Sequence, residues 1–138
     1  MVEINRERVV NIKAFVFCVV TAAASAATAG PAAAQLEAFL ADDLWLKLAR
    51  HANAMADLLA ARLQSAGVAP VWPVEANEVF VNLPRRADVK LRAAGAAYYP
   101  WSARRAPCET DAVLVRLVTS FATTESDIAQ FVAIVAAA

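Results

Sequence analysis

The chain has 138 residues, 60% of them hydrophobic, which is enough for one domain with a full core. Thirteen basic and thirteen acidic side chains cancel, so the positive field with which nucleic-acid binders neutralise phosphates is missing and no nucleic-acid partner is expected. The two cysteines, Cys18 and Cys108, lie far apart and His51 is the single histidine, so neither a disulfide framework nor a four-ligand zinc site is expected.

Residues 1–13 carry Arg6, Arg8 and Lys13 against Glu3 and Glu7, and no charge follows until Glu37. Within that uncharged run only Ala14 to Val20 is strongly apolar, and an Ala/Ser/Thr stretch leads to Pro31 and Ala32-Ala33-Ala34. A basic lead, a short apolar stretch and small residues form the pattern of a secretory leader. The second half is too weakly hydrophobic for the roughly 20 apolar residues of a spanning helix, so a membrane partner is not expected. Residues 1–32 are therefore read as an apolar leader, either a genuine signal or a frame artefact in alanine-rich coding sequence, and residues 33–138 as the folded domain.

From Leu36 to Leu63 the residues Leu44, Leu48, Ala52, Met55, Leu59 and Leu63 recur at helical spacing, so an amphipathic helix, with room for two segments in that span, is expected here. Asp42 or Asp43 is the candidate cap and Gly67 the candidate stop. Glu78-Val79-Phe80-Val81-Asn82-Leu83 alternates with period two and ends at Pro84, which predicts a strand. Arg85 to Ala94 reads as a short helix with Val89, Leu91 and Ala94 toward the core and Gly95 as its stop. Ala97-Tyr98-Tyr99 is a candidate short strand, followed by a loop whose Arg104 and Arg105 imply exposure. Val113 to Phe121 is the most β-branched stretch and predicts another strand. Thr124 and Asp127 open a last helix, carrying Ile128, Phe131, Val132 and Val135, with a capping-box pattern. The order helix, strand, helix, strand, strand, helix predicts an α+β fold, a two-layer sandwich in which helices cover one face of a small antiparallel sheet.

Three stretches carry a resemblance: Gln35-Leu36-Glu37-Ala38-Phe39-Leu40 running into Leu44 to Ala56, then Glu75-Ala76-Asn77-Glu78-Val79-Phe80-Val81, then Val115-Arg116-Leu117-Val118-Thr119-Ser120-Phe121. From about Ala33 to Val135 the chain resembles the C-terminal small domain of low-specificity L-threonine aldolases, which are similar to aspartate aminotransferases in fold. The resemblance implies a cytoplasmic, homo-oligomeric lyase that uses pyridoxal phosphate to cleave a β-hydroxy amino acid to glycine and an aldehyde, the cofactor acting as electron sink. It also implies that the aldimine lysine, the ring-stacking histidine and the phosphate-binding residues belong to a large domain outside this segment, which is a partner this domain would need. No cofactor is expected on this chain alone.

By the same resemblance, Arg116 occupies the position of the arginine that binds the α-carboxylate of the amino-acid substrate. Its alternation supports a special role, since Arg116 shares a strand face with Leu114 and Val118, and a covered guanidinium needs an anion. The planar fork of arginine suits both oxygens of a carboxylate. The competing explanation is an internal pair with an acid such as Glu78 or Glu109.

The remaining candidates have plainer readings. Lys13 lies in the leader, and Lys47 and Lys90 sit in surface-helix contexts with nothing to depress a pKa as aldimine formation requires. His51 stands beside Arg50 and Asn53 without an acid one helical turn away to orient it. Trp45, Trp72, Trp101, Tyr98 and Tyr99 are explained by packing before they are explained by a pocket, and Cys108 has no activator in sequence. Gly30, Gly67 and Gly95 are too scattered to cradle a phosphate. The leading reading is a substrate-binding fragment of a threonine aldolase, silent alone. Its rivals are a non-catalytic binding module exported with its leader removed near Ala34, and a remnant exposing surface that once packed on the large domain.

Overall fold

A computed structural model describes residues 31–101 and 111–138. The expected leader lies outside the described residues except for its last two positions, and Arg104, Arg105, Cys108 and Glu109 lie outside them as well. The elements are α1 (Pro31–Leu40), a short 3-10 turn (Ala41–Asp43), α2 (Leu44–Ser65), β1 (Glu78–Pro84), α3 (Arg85–Ala93), β2 (Tyr99–Pro100), β3 (Ala112–Val118) and α4 (Glu125–Ala136). No helix among the described residues is long and apolar enough to cross a membrane.

The long helical pattern is two helices, and the reason is local. Asp42 and Asp43 both take positive φ, 51° and 56°, a left-handed conformation that aspartate tolerates better than most residues and that interrupts a helix. Asp43 does stand at the cap of α2, as expected, but makes no side-chain cap hydrogen bond. A cap residue aims its oxygen at the first free amides from extended backbone, and the left-handed turn points it elsewhere.

Both glycine stops close their helices in the same way. At Gly67 (φ 86°) the amide of Val68 bonds the Leu63 carbonyl at 2.9 Å and that of Gly67 the Gln64 carbonyl at 3.0 Å. At Gly95 (φ 89°) the amides of Ala96 and Gly95 bond the carbonyls of Leu91 and Arg92, each at 2.9 Å. The left-handed residue turns the chain back so that orphan carbonyls find donors, and a glycine takes that conformation without a Cβ penalty. α4 opens with the expected reciprocal cap. The Thr124 hydroxyl accepts from the Asp127 amide at 3.2 Å, and the Asp127 carboxylate accepts from the Thr124 amide at 3.0 Å.

The strands form one antiparallel sheet in the order β1-β3-β2, with Phe80 opposite Arg116, Val81 opposite Val115 and Tyr99 opposite Arg116. Period-two alternation then sorts every side chain. Val79, Val81 and Leu83 of β1 and Val115 and Leu117 of β3 share one face and are fully buried. Against them pack Ala56, Leu59, Ala60 and Leu63 of α2, Ala87 and Leu91 of α3, and Ile128, Phe131 and Val135 of α4. Burying each such aliphatic side chain contributes roughly 1.5–3 kcal/mol relative to exposure, so this single cluster dominates the stability. The architecture is α+β, helices on one face of a small antiparallel sheet.

Three local expectations need correction. Val89 is 62% exposed because Ala87 and Leu91, one helical turn apart, define the inner stripe of α3 and Val89 falls between them on the outer side. Ala94 is exposed too, at the end of the helix. β3 stops at Val118 rather than Phe121, since a turn follows in which the Ser120 amide bonds the Thr123 hydroxyl at 2.9 Å and the Ala122 amide bonds the Ser120 hydroxyl at 3.1 Å. Phe121, at the tip, is 61% exposed. The short strand β2 is Tyr99–Pro100 and starts two residues later than its predicted start at Ala97.

Candidate functional site

The face of the sheet turned away from the helical layer is lined by Glu78, Phe80 and Asn82 from β1 and by Leu114, Arg116 and Val118 from β3. Its two ends differ. Near Pro84, Leu114 is buried, whereas toward the start of β1 the side chains of Glu78, Phe80, Arg116 and Val118 remain partly exposed. A cation in the middle of this face is the feature that core formation does not require.

Arg116 is held from three sides. Its Nη1 donates to Glu78 Oε1 at 3.3 Å, with the arginine side chain 28% and the acid 39% exposed. Glu78 pairs with Val118 in the register, diagonally from Arg116, a separation that long side chains span. The guanidinium carbon lies 5.0 Å from the centroid of the Trp101 ring, over its face, an arrangement favoured by the negative face of an aromatic ring. Phe80, directly opposite Arg116 in β1, completes the surround.

The aromatic residues form a row. Trp72 meets Phe80 edge-on at 5.1 Å between ring centroids, and Phe80 meets Trp101 at 5.4 Å with an interplanar angle of 65°. Trp101 is fixed by its backbone, since its amide donates to the Leu114 carbonyl at 2.8 Å just after β2 joins β3. Trp72 is fixed by its neighbour, for the Val71 amide donates to the Phe80 carbonyl at 2.8 Å and Pro70 bridges to Val81. Two loop segments thus deliver indoles to the flanks of the same strand pair.

The end of β3 is locked by its neighbours. The Thr119 hydroxyl donates to the Ala52 carbonyl at 2.7 Å, the Thr119 amide donates to Asn77 O at 2.9 Å, and Asn77 Nδ2 donates to Thr119 O at 2.8 Å. Asn77, Glu78 and Thr119, all within stretches that carry the family resemblance, therefore anchor the strands beside Arg116.

The other candidates are placed elsewhere. His51 Nε2 bonds the Thr123 carbonyl at 2.9 Å on the surface, a tie between α2 and the β3–α4 turn that uses its ring nitrogen structurally. Lys47 is exposed, and Lys90 Nζ donates to the Ala137 carbonyl at 2.6 Å, also at the surface. Tyr98 is core: it meets Phe131 edge-on at 6.1 Å, its hydroxyl donates to Asp88 Oδ1 at 2.7 Å, and Arg92 lies over its ring. Burial first, then the hydrogen bond and negative charge of Asp88, raise its pKa far above the ordinary tyrosine value, against the opposing charge of Arg92. Trp45 and Tyr99 are exposed. Among the described residues no three His, Cys, Asp or Glu side chains gather as a metal site. Glu78 was foreseen as a partner for Arg116. Trp101 and Phe80 were not: strand register sets Phe80 opposite Arg116, and the bond from the Trp101 amide to the Leu114 carbonyl brings in the indole.

No family model matches the chain. Over 61 residues, 44% of its length, it is 48% identical to the low-specificity L-threonine aldolase of Pseudomonas aeruginosa and covers 18% of that protein. Its fold is similar to the solved structure of Leishmania major threonine aldolase, with a TM-score of 0.63 and 30% identity over 73% of this chain and 28% of the other. The chain therefore spans less than a third of the length of either relative.

Proposed function

We propose, proceeding from a chain that is in sequence and fold similar to part of a threonine aldolase, that this segment supplies the substrate-carboxylate site of such an enzyme and that Arg116 is its binding group. The observation that carries the reading is the position of Arg116: a partly exposed guanidinium at the centre of the sheet face opposite the helices, within the strand stretch that resembles the family's carboxylate-binding motif. Glu78 engages Nη1, and the rest of the fork has donors for both oxygens of a ligand carboxylate.

In such an enzyme pyridoxal phosphate supplies the electron sink. The described residues do not themselves fit that cofactor. Aldimine formation uses a lysine whose amine is kept from full solvation, whereas Lys47 and Lys90 are both exposed and Lys90 is bonded to a backbone carbonyl. No step is assigned through the cofactor on this chain. Its own contribution is orientation, fixing one end of a β-hydroxy amino acid so that the bond to be cleaved is held in one place. We read residues 1–32 as a leader and residues 33–138 as the domain that carries Arg116.

Two measurements test this. Calorimetric titration of the full chain with L-threonine should give saturable binding that Arg116→Gln weakens by about 10- to 100-fold, as loss of charge-assisted hydrogen bonds worth roughly 1.5–3 kcal/mol implies. Equal binding by the variant would refute the assignment. Titration with pyridoxal phosphate followed by L-threonine should give neither an aldimine absorbance band nor glycine, and turnover would show that Lys47 or Lys90 serves the chemistry after all.

A further inference from the structure

Resting on that reading of Arg116, we infer that Trp101 is its positioning residue and that Glu78 restrains its affinity, so that the site meets a carboxylate with the guanidinium fixed in direction but partly neutralised. Neither role follows from the presence of an arginine on a strand.

An arginine side chain on an open sheet face is long and free to sweep, and ordering it on binding a ligand costs conformational entropy. Here the sweep is blocked beforehand. Trp101 lies against one side of the guanidinium at 5.0 Å, and the ring is itself held by its amide bond to the Leu114 carbonyl and by its edge contact with Phe80. Phe80 is braced in turn by Trp72. The row Trp72, Phe80, Trp101 is thus a wall whose last member carries the cation. A ring over a guanidinium leaves its in-plane N–H groups uncovered, and those are the groups that bond a carboxylate at both oxygens.

Glu78 has the opposite effect on affinity. Its contact with Nη1 is single and 3.3 Å long, so it directs the group without filling it. Its charge, however, repels any second carboxylate brought to the same cation. The pair therefore favours a ligand that bonds the fork at two oxygens over a weaker anion that makes one contact.

The test uses the full chain and the Arg116 Nε–H resonance. In the free protein, Trp101→Leu should move that resonance by loss of the ring current and broaden it, while Trp101→Phe should retain most of the shift. On titration with L-threonine, Trp101→Leu should bind about three- to tenfold more weakly, and Glu78→Gln, which keeps the hydrogen bond but removes the charge, should bind about two- to fivefold more tightly. Helical circular dichroism and the unfolding midpoint of Trp101→Phe serve as the folding control. An Arg116 resonance unchanged by Trp101→Leu overturns the positioning role whether or not threonine binds, and weaker binding by Glu78→Gln overturns the restraint. If wild-type chain shows no threonine response at Arg116 while the ring-current effect is present, the carboxylate reading fails and the positioning by Trp101 stands.

Discussion

The two faces of this sheet obey different rules. On the helical side the residues are Val79, Val81, Leu83, Val115 and Leu117, all fully buried and aliphatic, with Thr119 the buried polar residue there. On the other side the same strands present Glu78, Phe80, Asn82, Leu114, Arg116 and Val118, where charge, ring and amide interrupt the apolar surface. A face selected for stability alone needs only apolar volume. The mixed face has a cost, since each ion there gives up part of its hydration, and the proposed carboxylate site gives a reason for keeping those ions.

That contrast gives a ranked set of expectations for substitutions. On the core face, Leu117→Ala removes a fully buried side chain and should destabilise the chain by about 2–5 kcal/mol in denaturant titration; a loss under about 1 kcal/mol would mean that this face is not the core described. Thr119→Val keeps the shape but strips the donor from the bond to the Ala52 carbonyl, with an expected loss of about 1–3 kcal/mol by the same measurement. Tyr98→Phe removes the bond to Asp88 and should cost about 1 kcal/mol at neutral pH.

Tyr98 also predicts a pH dependence. Its folded pKa is raised, mainly by burial, so the unfolded chain loses this proton at a lower pH than the folded one. The contribution is fully present below the ordinary tyrosine pKa of about 10 and is lost as pH rises above it. Comparing wild type with Tyr98→Phe between neutral and strongly alkaline pH should show a steeper fall in wild type, and parallel curves would remove Tyr98 from the account. The smallest effect belongs to the other face. Arg116→Gln, breaking a partly exposed pair with Glu78, should change stability by less than about 1 kcal/mol. A loss as large as that of Leu117→Ala would make Arg116 a structural residue and erase the distinction between the faces.

Much of the first face was legible in the sequence. Period-two alternation from Glu78 to Leu83 and the β-branched run after Val113 are imposed by the pleat itself, and the stops at Gly67 and Gly95 and the Thr124–Asp127 cap are local backbone chemistry. The misses arose where a local signal met a longer-range demand. Thr119 to Phe121 has strand-forming residues, but a side-chain turn ends the strand there. Asp43 has the right chemistry for a cap, and a left-handed backbone denies it the geometry. The site was half legible. Arg116 was visible as an odd cation in an apolar strand, and Glu78 as an available acid. Trp101 and Phe80 were not, because the partners of Arg116 are set by cross-strand register and by a loop's hydrogen bond to Leu114, neither of which leaves a periodic trace.

One face of the sheet holds the fold together, and we propose that the other binds a carboxylate through Arg116. The most direct measurement is a residue-by-residue map of amide and side-chain NMR shifts in the full chain on adding L-threonine, with Arg116→Gln as its pair. Saturable changes are expected at Phe80, Trp101 and Arg116, with none along α4, and in the variant the changes at Phe80 and Trp101 should need about 10- to 100-fold more L-threonine. Shifts in Arg116→Gln that saturate at the same L-threonine concentration as in wild type, or shifts that gather on the helical layer instead, would overturn the assignment.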